Sequence, residues 1–317
     1  MLFALVFITS FLATVLITPV FIKKLMSSGI YGRDVHKEKK TKVPEMGGLA
    51  VLFGFSAGMF VSIPHFIGSM AYIFAAFLTV AIMGVIGICD DLFGLGQKVK
   101  SWLPVFASIP LIATWAGVHT MSIPLIGAVD FGLFYPIILI PVAVTVVSNS
   151  FNMMAGYNGM EAGLGFIACL FLGAAGIATG SAEASIILFA MAGACLAFLA
   201  YNSYPSRIFP GDTGTFVIGA AVASAVIIGN MEMLGIIVLM PLLANGLITS
   251  LGIIRGKPVK KFSEVKNGML VPPSGEHVNT LYFMLERAFK PTEKKLVSMV
   301  WTLGIIFGLV SLLFLFI

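Results

Sequence analysis

The residues able to do chemistry in this chain are few, and they gather in short stretches between long apolar runs. The densest stretch is SNSFNMMAGYNGMEAG, from Ser148 to Gly163, which carries Asn149, Asn152, Asn158 and Glu161. Carboxamides and a carboxylate beside a membrane core are costly and rarely kept without a use. Asn149 and Asn152 are three apart, so a helix running through them puts both amides on one face. Gly156 and the Asn158–Gly159 pair let the backbone turn and approach a ligand closely. An ordinary polar loop between two helices would also read this way, so the other stretches decide.

Asp90 and Asp91 follow an apolar run in GICDDLFGLGQKVK. Adjacent carboxylates repel unless a cation is near, and Lys98 or Lys100 can supply one. The alternative is a pair that only marks the membrane boundary. Asp212 sits in YPSRIFPGDTGT at the start of another apolar run. There it is either a helix cap or a hard oxygen ligand for Mg²⁺. Arg207, the lone cation of that loop, has a fork suited to phosphate oxygens, or serves topology alone. In GRDVHKEKKTKVPEMGG the basic run suits anionic headgroups, and Pro44 with Gly47–Gly48 suggests close backbone packing near a ligand. His277 precedes an apolar stripe of Val278, Leu281, Tyr282, Leu285 and Phe289, which predicts an amphipathic helix at the membrane interface.

The elements that must position these groups follow from composition. Of 317 residues 59% are hydrophobic and only 10% charged, with mean hydropathy +1.04. Soluble domains carry about 25% charged residues, so this is an all-α integral membrane protein with a single domain spanning 1–317. Ten apolar runs are long enough to cross a bilayer, near Leu2–Ile22, Met46–Ile67, Met70–Ile88, Trp102–Val118, Phe131–Val147, Gly163–Thr179, Ala184–Tyr201, Gly214–Gly229, Leu234–Ile254 and Leu296–Ile317. The first has neither the basic start nor the cleavage site of a signal peptide, and reads as a retained helix.

All 19 Lys and Arg residues fall in alternate connections: Lys23–Lys42, Lys98–Lys100, Arg207 and Arg255–Lys295. The positive-inside rule places those loops in the cytoplasm and, with ten crossings, both termini outside. That arrangement also explains the pI near 9.1 without nucleic acid. Trp102 and Trp301 sit at helix ends as interfacial anchors do. Cys89, Cys169 and Cys195 lack metal-ligand spacing and read as membrane-core residues. Eleven of the 14 acids lie on the cytoplasmic side. Acids, amides and cations on one face suit a Mg²⁺-bound diphosphate near a lipid headgroup. A secondary transporter is the reading from a different class, but it needs charges near mid-membrane and broken helices.

PEMGG, the Asp90–Asp91 pair, NSFNMMAGYNGMEAG and YPSRIFPGDT, in that order, resemble the polyprenyl-phosphate N-acetylhexosamine-1-phosphate transferases. The third motif is most similar to the eukaryotic and archaeal UDP-N-acetylglucosamine:dolichyl-phosphate branch. The resemblance implies five cytoplasmic loops forming the active site. It also implies transfer of N-acetylglucosamine 1-phosphate from UDP-GlcNAc to dolichyl or polyprenyl phosphate, with release of UMP, as the first step of lipid-linked oligosaccharide synthesis for protein N-glycosylation. The same chemistry on undecaprenyl phosphate, with another UDP-N-acetylhexosamine, is the nearer alternative; its bacterial enzymes carry aspartates and a histidine-rich last loop that this chain lacks.

Carried over, the resemblance gives Asp212 and Asn152 to Mg²⁺, with Mn²⁺ as a substitute. Lys100 and Asn149 go to the diphosphate, Asn158 and Glu161 to the nucleotide pocket, and Arg207 to phosphate. Asp90 and Asp91 would orient the lipid phosphate or take its proton. Glu45 and His277 join the substrate-binding set. A homodimer and bound membrane lipids are among the implied partners. The last-loop arginines of eukaryotic relatives are missing from MLVPPSGEHVNT, where Glu276 and His277 stand instead, so the sugar is the open point.

Overall fold

The computed structural model describes every residue except 38–40, 66, 124–125, 261 and 317, and the side chains of 67, 97, 122 and 123. The centre of the first basic run therefore lies outside the described residues. Among the described residues, eight helices are long and apolar enough to cross a membrane, or nine if one bent pair is a single span. They are α1 (Leu2–Ser27), α2 (Gly48–Ser62, continued by a short turn), α3 (Met70–Phe93), α6 (Ile140–Met154, entered through a wide turn from Tyr135), α7 (Met160–Ala178), α8 (Ala182–Asn202), α9 (Gly211–Ile228) and α13 (Glu293–Phe314).

Prolines account for the two runs that differ from straight spans. The fourth run forms α4 (Gln97–Ala107) and α5 (Ile109–Ala113), with Pro104 and Pro110 interrupting the hydrogen-bond ladder. The ninth forms α10 (Glu232–Val238) and α11 (Met240–Ile254), bent by 74°. Pro241 in the first turn of α11 has no N–H to continue α10.

Among the described residues, three antiparallel hairpins lie in the connections. Tyr31–Arg33 pairs with Lys42–Pro44 (Gly32 opposite Val43), Thr120–Ile123 with Gly127–Asp130, and Glu264–Lys266 with Met269–Val271. The amphipathic helix α12 forms over Leu281–Phe289, capped by Thr280 accepting from Phe283 N at 3.1 Å. Its burial differs from an interfacial helix. Val278, Tyr282 and Phe283 are buried in the protein, as is the carboxylate of Glu286, while Phe289 is exposed. Tertiary packing, with a polar partner for Glu286, decides which face turns inward.

Helix α9 is the centre of the bundle, packed by α3, α6, α8 and α2. Its residues from Thr213 to Ile227 are all buried. Small residues let the neighbours approach its start: a Cβ on Gly48 would collide with the backbone of Gly214, and one on Gly87 with Thr213. The PEMGG segment is tied to the same place, because Phe209 N donates to Pro44 O, Gly47 N to Phe209 O and Gly48 N to Pro210 O, each at 2.8 Å. The close backbone packing expected at Gly47–Gly48 is present, and it is packing against the segment that carries Asp212.

Candidate active site

Four helix ends meet at Asp212. Asp91, near the end of α3, spends its carboxylate on the start of α9. Oδ1 accepts from Asp212 N at 2.7 Å, and Oδ2 accepts from Thr213 N at 3.0 Å and Thr213 Oγ1 at 2.6 Å. The α9 N-terminus leaves such donors unpaired, so a carboxylate there is a cap in charge and geometry. Gly211 makes room for it, with φ +68° and a pro-chiral hydrogen facing Asp91 where a Cβ would clash.

The cap fixes the direction of the Asp212 side chain. Its Oδ2 accepts from Lys100 Nζ at 2.7 Å and its Oδ1 from Asn152 Nδ2 at 2.6 Å, while Asn152 also reaches Thr215 Oγ1 at 3.1 Å. Lys100 pairs in addition with Asp90 Oδ2, and Asp90 Oδ1 accepts from Leu95 N at 2.8 Å. Burial works against the Lys100 ammonium, but hydrogen bonds and charges from Asp212 and Asp90 outweigh it and raise its pKa. One ammonium thus holds two carboxylates from helices far apart in the chain.

These groups fit a hard divalent cation. Asp212, the Asn152 amide oxygen and Asp90 Oδ2 are oxygen donors of the type Mg²⁺ takes. Apart from its ion contact, Asp90 Oδ2 is buried without a hydrogen-bond partner.

Asn152, Lys100 and Asp212 line a cavity of about 300 Å³, together with Glu45, Asn158 and Glu161. The turn before α7 is built as its glycines demand, with φ +140° at Gly156 and +86° at Gly159. Glu161 is buried and accepts from Gly156 N at 2.9 Å, holding that turn closed. Asn158 donates from Nδ2 to Asp34 at 3.0 Å and from its backbone N to Glu293 at 2.8 Å. Asp34 lines the cavity as well, so a first-loop carboxylate directs the Asn158 amide.

Other expected residues are not among the described residues lining this cavity. Asp90 stands behind Lys100, and Asp91 is taken up as the α9 cap. Asn149 shares a helix face with Asn152 but donates to Thr145 O, one turn back, at 2.9 Å. Arg207 is exposed, lies over the Tyr201 ring at 4.8 Å and donates to Ala200 O at 3.3 Å. His277 is buried beside Phe283, with Nδ1 near Val278 O at 2.8 Å and Nε2 near Arg287 at 3.3 Å.

Conversely, Arg33, Asp34, His36, Tyr157 and Lys260 line the cavity although their spacing did not single them out. Tyr157 OH donates to Glu286 Oε1 at 2.7 Å and lies 2.8 Å from Ser263 Oγ, joining the motif turn to α12. Asn245 supports the same joint, donating to Met153 O at 3.0 Å and accepting from Leu281 N at 2.9 Å. Only a tyrosine within the Asn-rich motif and a lone glutamate in an apolar stripe hinted at that contact.

Comparison with known proteins shows the family. Residues 73–230, which hold the Asp90–Asp91 pair, the Asn-rich motif and Asp212, match the sequence profile of Glycosyl transferase family 4. The chain is 33% identical, over 96% of its length and 94% of the relative's, to a Saccharolobus solfataricus protein named "Putative UDP-N-acetylglucosamine--dolichyl-phosphate N-acetylglucosaminephosphotransferase". A Sulfolobus acidocaldarius protein of the same name is 32% identical over 97% of this chain and 94% of its own. The phospho-N-acetylmuramoyl-pentapeptide-transferase of Halalkalibacterium halodurans is 30% identical over 96% of this chain and 95% of its own. With near full-length similarity of this degree, the chain is a transferase of glycosyl transferase family 4, the polyprenyl-phosphate N-acetylhexosamine-1-phosphate transferases.

Proposed function

We propose that this protein transfers N-acetylglucosamine 1-phosphate from UDP-GlcNAc to dolichyl or a related polyprenyl phosphate. A lipid-phosphate oxygen forms a bond to the β-phosphorus of the nucleotide sugar. The bond from that phosphorus to the bridging oxygen breaks, and UMP leaves with the oxygen. The observation that carries the reading is the Lys100 ammonium held between Asp90 and Asp212 beside Asn152, at a cavity that two further cations, Arg33 and Lys260, also line.

Phosphoryl transfer needs positioning and charge neutralisation more than covalent help from the protein. Asp212 and Asn152 would hold Mg²⁺, or Mn²⁺ in its place, which when bound neutralises the diphosphate. Lys100 balances charge beside it, and Arg33 and Lys260 face the same negative ligand. The lipid phosphate has a second pKa near 6 and arrives ionised. Asp91 has both oxygens engaged in the α9 cap and Asp90 holds Lys100, which supports direct displacement over an aspartyl-phosphate intermediate. Asn158 and Glu161 belong to the wall that would receive the nucleotide.

The alternation of basic loops supports ten crossings with both termini outside and the cavity on the cytoplasmic side. In that arrangement α4–α5 and α10–α11 are the two broken crossings. The product would be the first lipid-linked intermediate for protein N-glycosylation. The deciding experiment incubates purified protein in detergent with Mg²⁺, dolichyl phosphate and UDP-GlcNAc and identifies the nucleotide released. UMP with a lipid diphosphate sugar is expected; UDP, or no release with any UDP-N-acetylhexosamine, overturns the proposal.

A further inference from the structure

Buried polar atoms almost always have a partner. Two that have none occur where the first loop meets the last helix, His36 Nε2 and Glu293 Oε2. Their residues are 8% and 6% exposed, and Asp34 beside them is 3% exposed. Asp34, His36 and Glu293 each present a ligand atom so that all three lie within 4.8 Å of one another.

The other contacts hold this group in shape. Asp34 Oδ1 accepts from His36 N at 3.3 Å, and Oδ2 accepts from Asn158 Nδ2 at 3.0 Å and pairs with Lys37. Glu293 Oε1 accepts from Asn158 N at 2.8 Å, which leaves Oε2 for another partner. The His36 ring is stacked on Tyr157 with centroids 4.9 Å apart, so its orientation is fixed by packing. Lys37 offsets the charge of Asp34, and Glu293 Oε2 offers a second carboxylate oxygen to a cation. Burial lowers the His36 pKa to about 4 against the opposing pull of Asp34, so the imidazole is neutral near pH 7, the form that binds metals. A second cavity of about 530 Å³, which His36, Lys37 and Glu293 help to line, gives an ion a way in.

A neutral imidazole nitrogen with two carboxylate oxygens is a donor set for Zn²⁺ and similar transition ions, with a position left for water. We propose that Asp34, His36 and Glu293 bind a divalent transition-metal ion of the Zn²⁺ type that clasps the first loop to the start of α13. The site is built from residues other than Asp212 and Asn152, although Asp34 and His36 also line the cavity of the transfer reaction proposed above. Through Asn158, which bonds both carboxylates, the ion stiffens one wall of the cavity beside Asp212. The competing occupant of the gap is a proton shared between His36 and Glu293.

Zn²⁺ titration of the full-length protein in detergent, stripped with chelator and held in excess Mg²⁺, separates the two. A chromophoric chelator competing for the metal gives stoichiometry and affinity. One bound Zn²⁺ is expected, with a rise in thermal midpoint. His36→Ala and Glu293→Gln should each weaken binding about tenfold or more and remove that rise, while Asp212→Asn should leave both unchanged. His36→Gln replaces His36→Ala if the smaller side chain prevents folding. No stoichiometric binding, equal affinity in the His36 and Glu293 variants, or loss of binding in Asp212→Asn overturns the proposal.

Discussion

The Lys100 ammonium stands 2.7 Å from Asp212 Oδ2 and in ion contact with Asp90 Oδ2, bridging α3 and α9 from the start of α4. Removing it leaves Asp90 buried with its charge uncompensated, which costs far more than the pair contributes. Lys100→Met should therefore lower kcat by about 10²–10³-fold, the scale of a lost charge-stabilising donor. Lys100→Arg should recover only part, because a planar fork cannot replace a compact charge between two carboxylates. UMP release under single-turnover conditions checks both.

Asp212 accepts from Lys100 and Asn152 together. In Asp212→Asn the capped backbone is intact, so the protein should fold and elute from gel filtration as wild type does. Turnover should fall by about 10³-fold or more and should no longer respond to Mg²⁺ between chelator-treated and saturated protein. Near-normal turnover would remove Asp212 from the centre of the site.

Asp91 closes three hydrogen bonds on the first turn of α9. Loss of a helix cap costs about 0.5–2 kcal/mol, and here it also frees the backbone that aims Asp212. Asp91→Ala should lower the thermal midpoint in detergent and slow turnover together. Unchanged stability with slowed turnover would mean that the carboxylate meets substrate directly.

Glu286 is buried in α12 and accepts from Tyr157 and Ser263. Burial raises its pKa above the ordinary 4.5, against the hydrogen bonds that pull it down. A carboxyl raised in the folded state binds more protons there than in the unfolded chain. Its contribution is therefore greatest at low pH and shrinks as pH rises from about 4.5 through the folded value. Glu286→Gln should flatten the fall of thermal stability across that window. Tyr157→Phe removes one of the two donors to Glu286 and leaves Ser263 in place, so it should cost about 0.5–1.5 kcal/mol and should expose the segment after α11 to limited proteolysis.

Local order made much of this protein readable along the chain. Apolar runs without charges set helix existence and length, because the bilayer demands about 20 such residues. The stretch from Ser148 to Gly163 is short enough that Asn152, Gly156, Asn158, Gly159 and Glu161 must share one turn region. Prolines hid two interruptions: hydropathy counts Pro104, Pro110 and Pro241 as tolerable, whereas the backbone cannot donate there.

The adjacent carboxylates Asp90 and Asp91 are equivalent by sequence, yet on the helix they point about 100° apart. One meets Lys100, and the other caps α9. Asn149 and Asn152 share a helix face, but only Asn152 lies opposite Asp212. His277, Arg207 and Tyr157 were equally beyond local reasoning, since each role depends on which distant element packs against it. The sequence by itself determined a helical membrane protein and the inventory of groups for phosphate chemistry, because hydrophobic length and motif spacing are local properties. Only the tertiary structure decided which acid is a cap, which is a counter-ion and which faces the cavity, because those roles depend on distance and burial between residues remote in the chain.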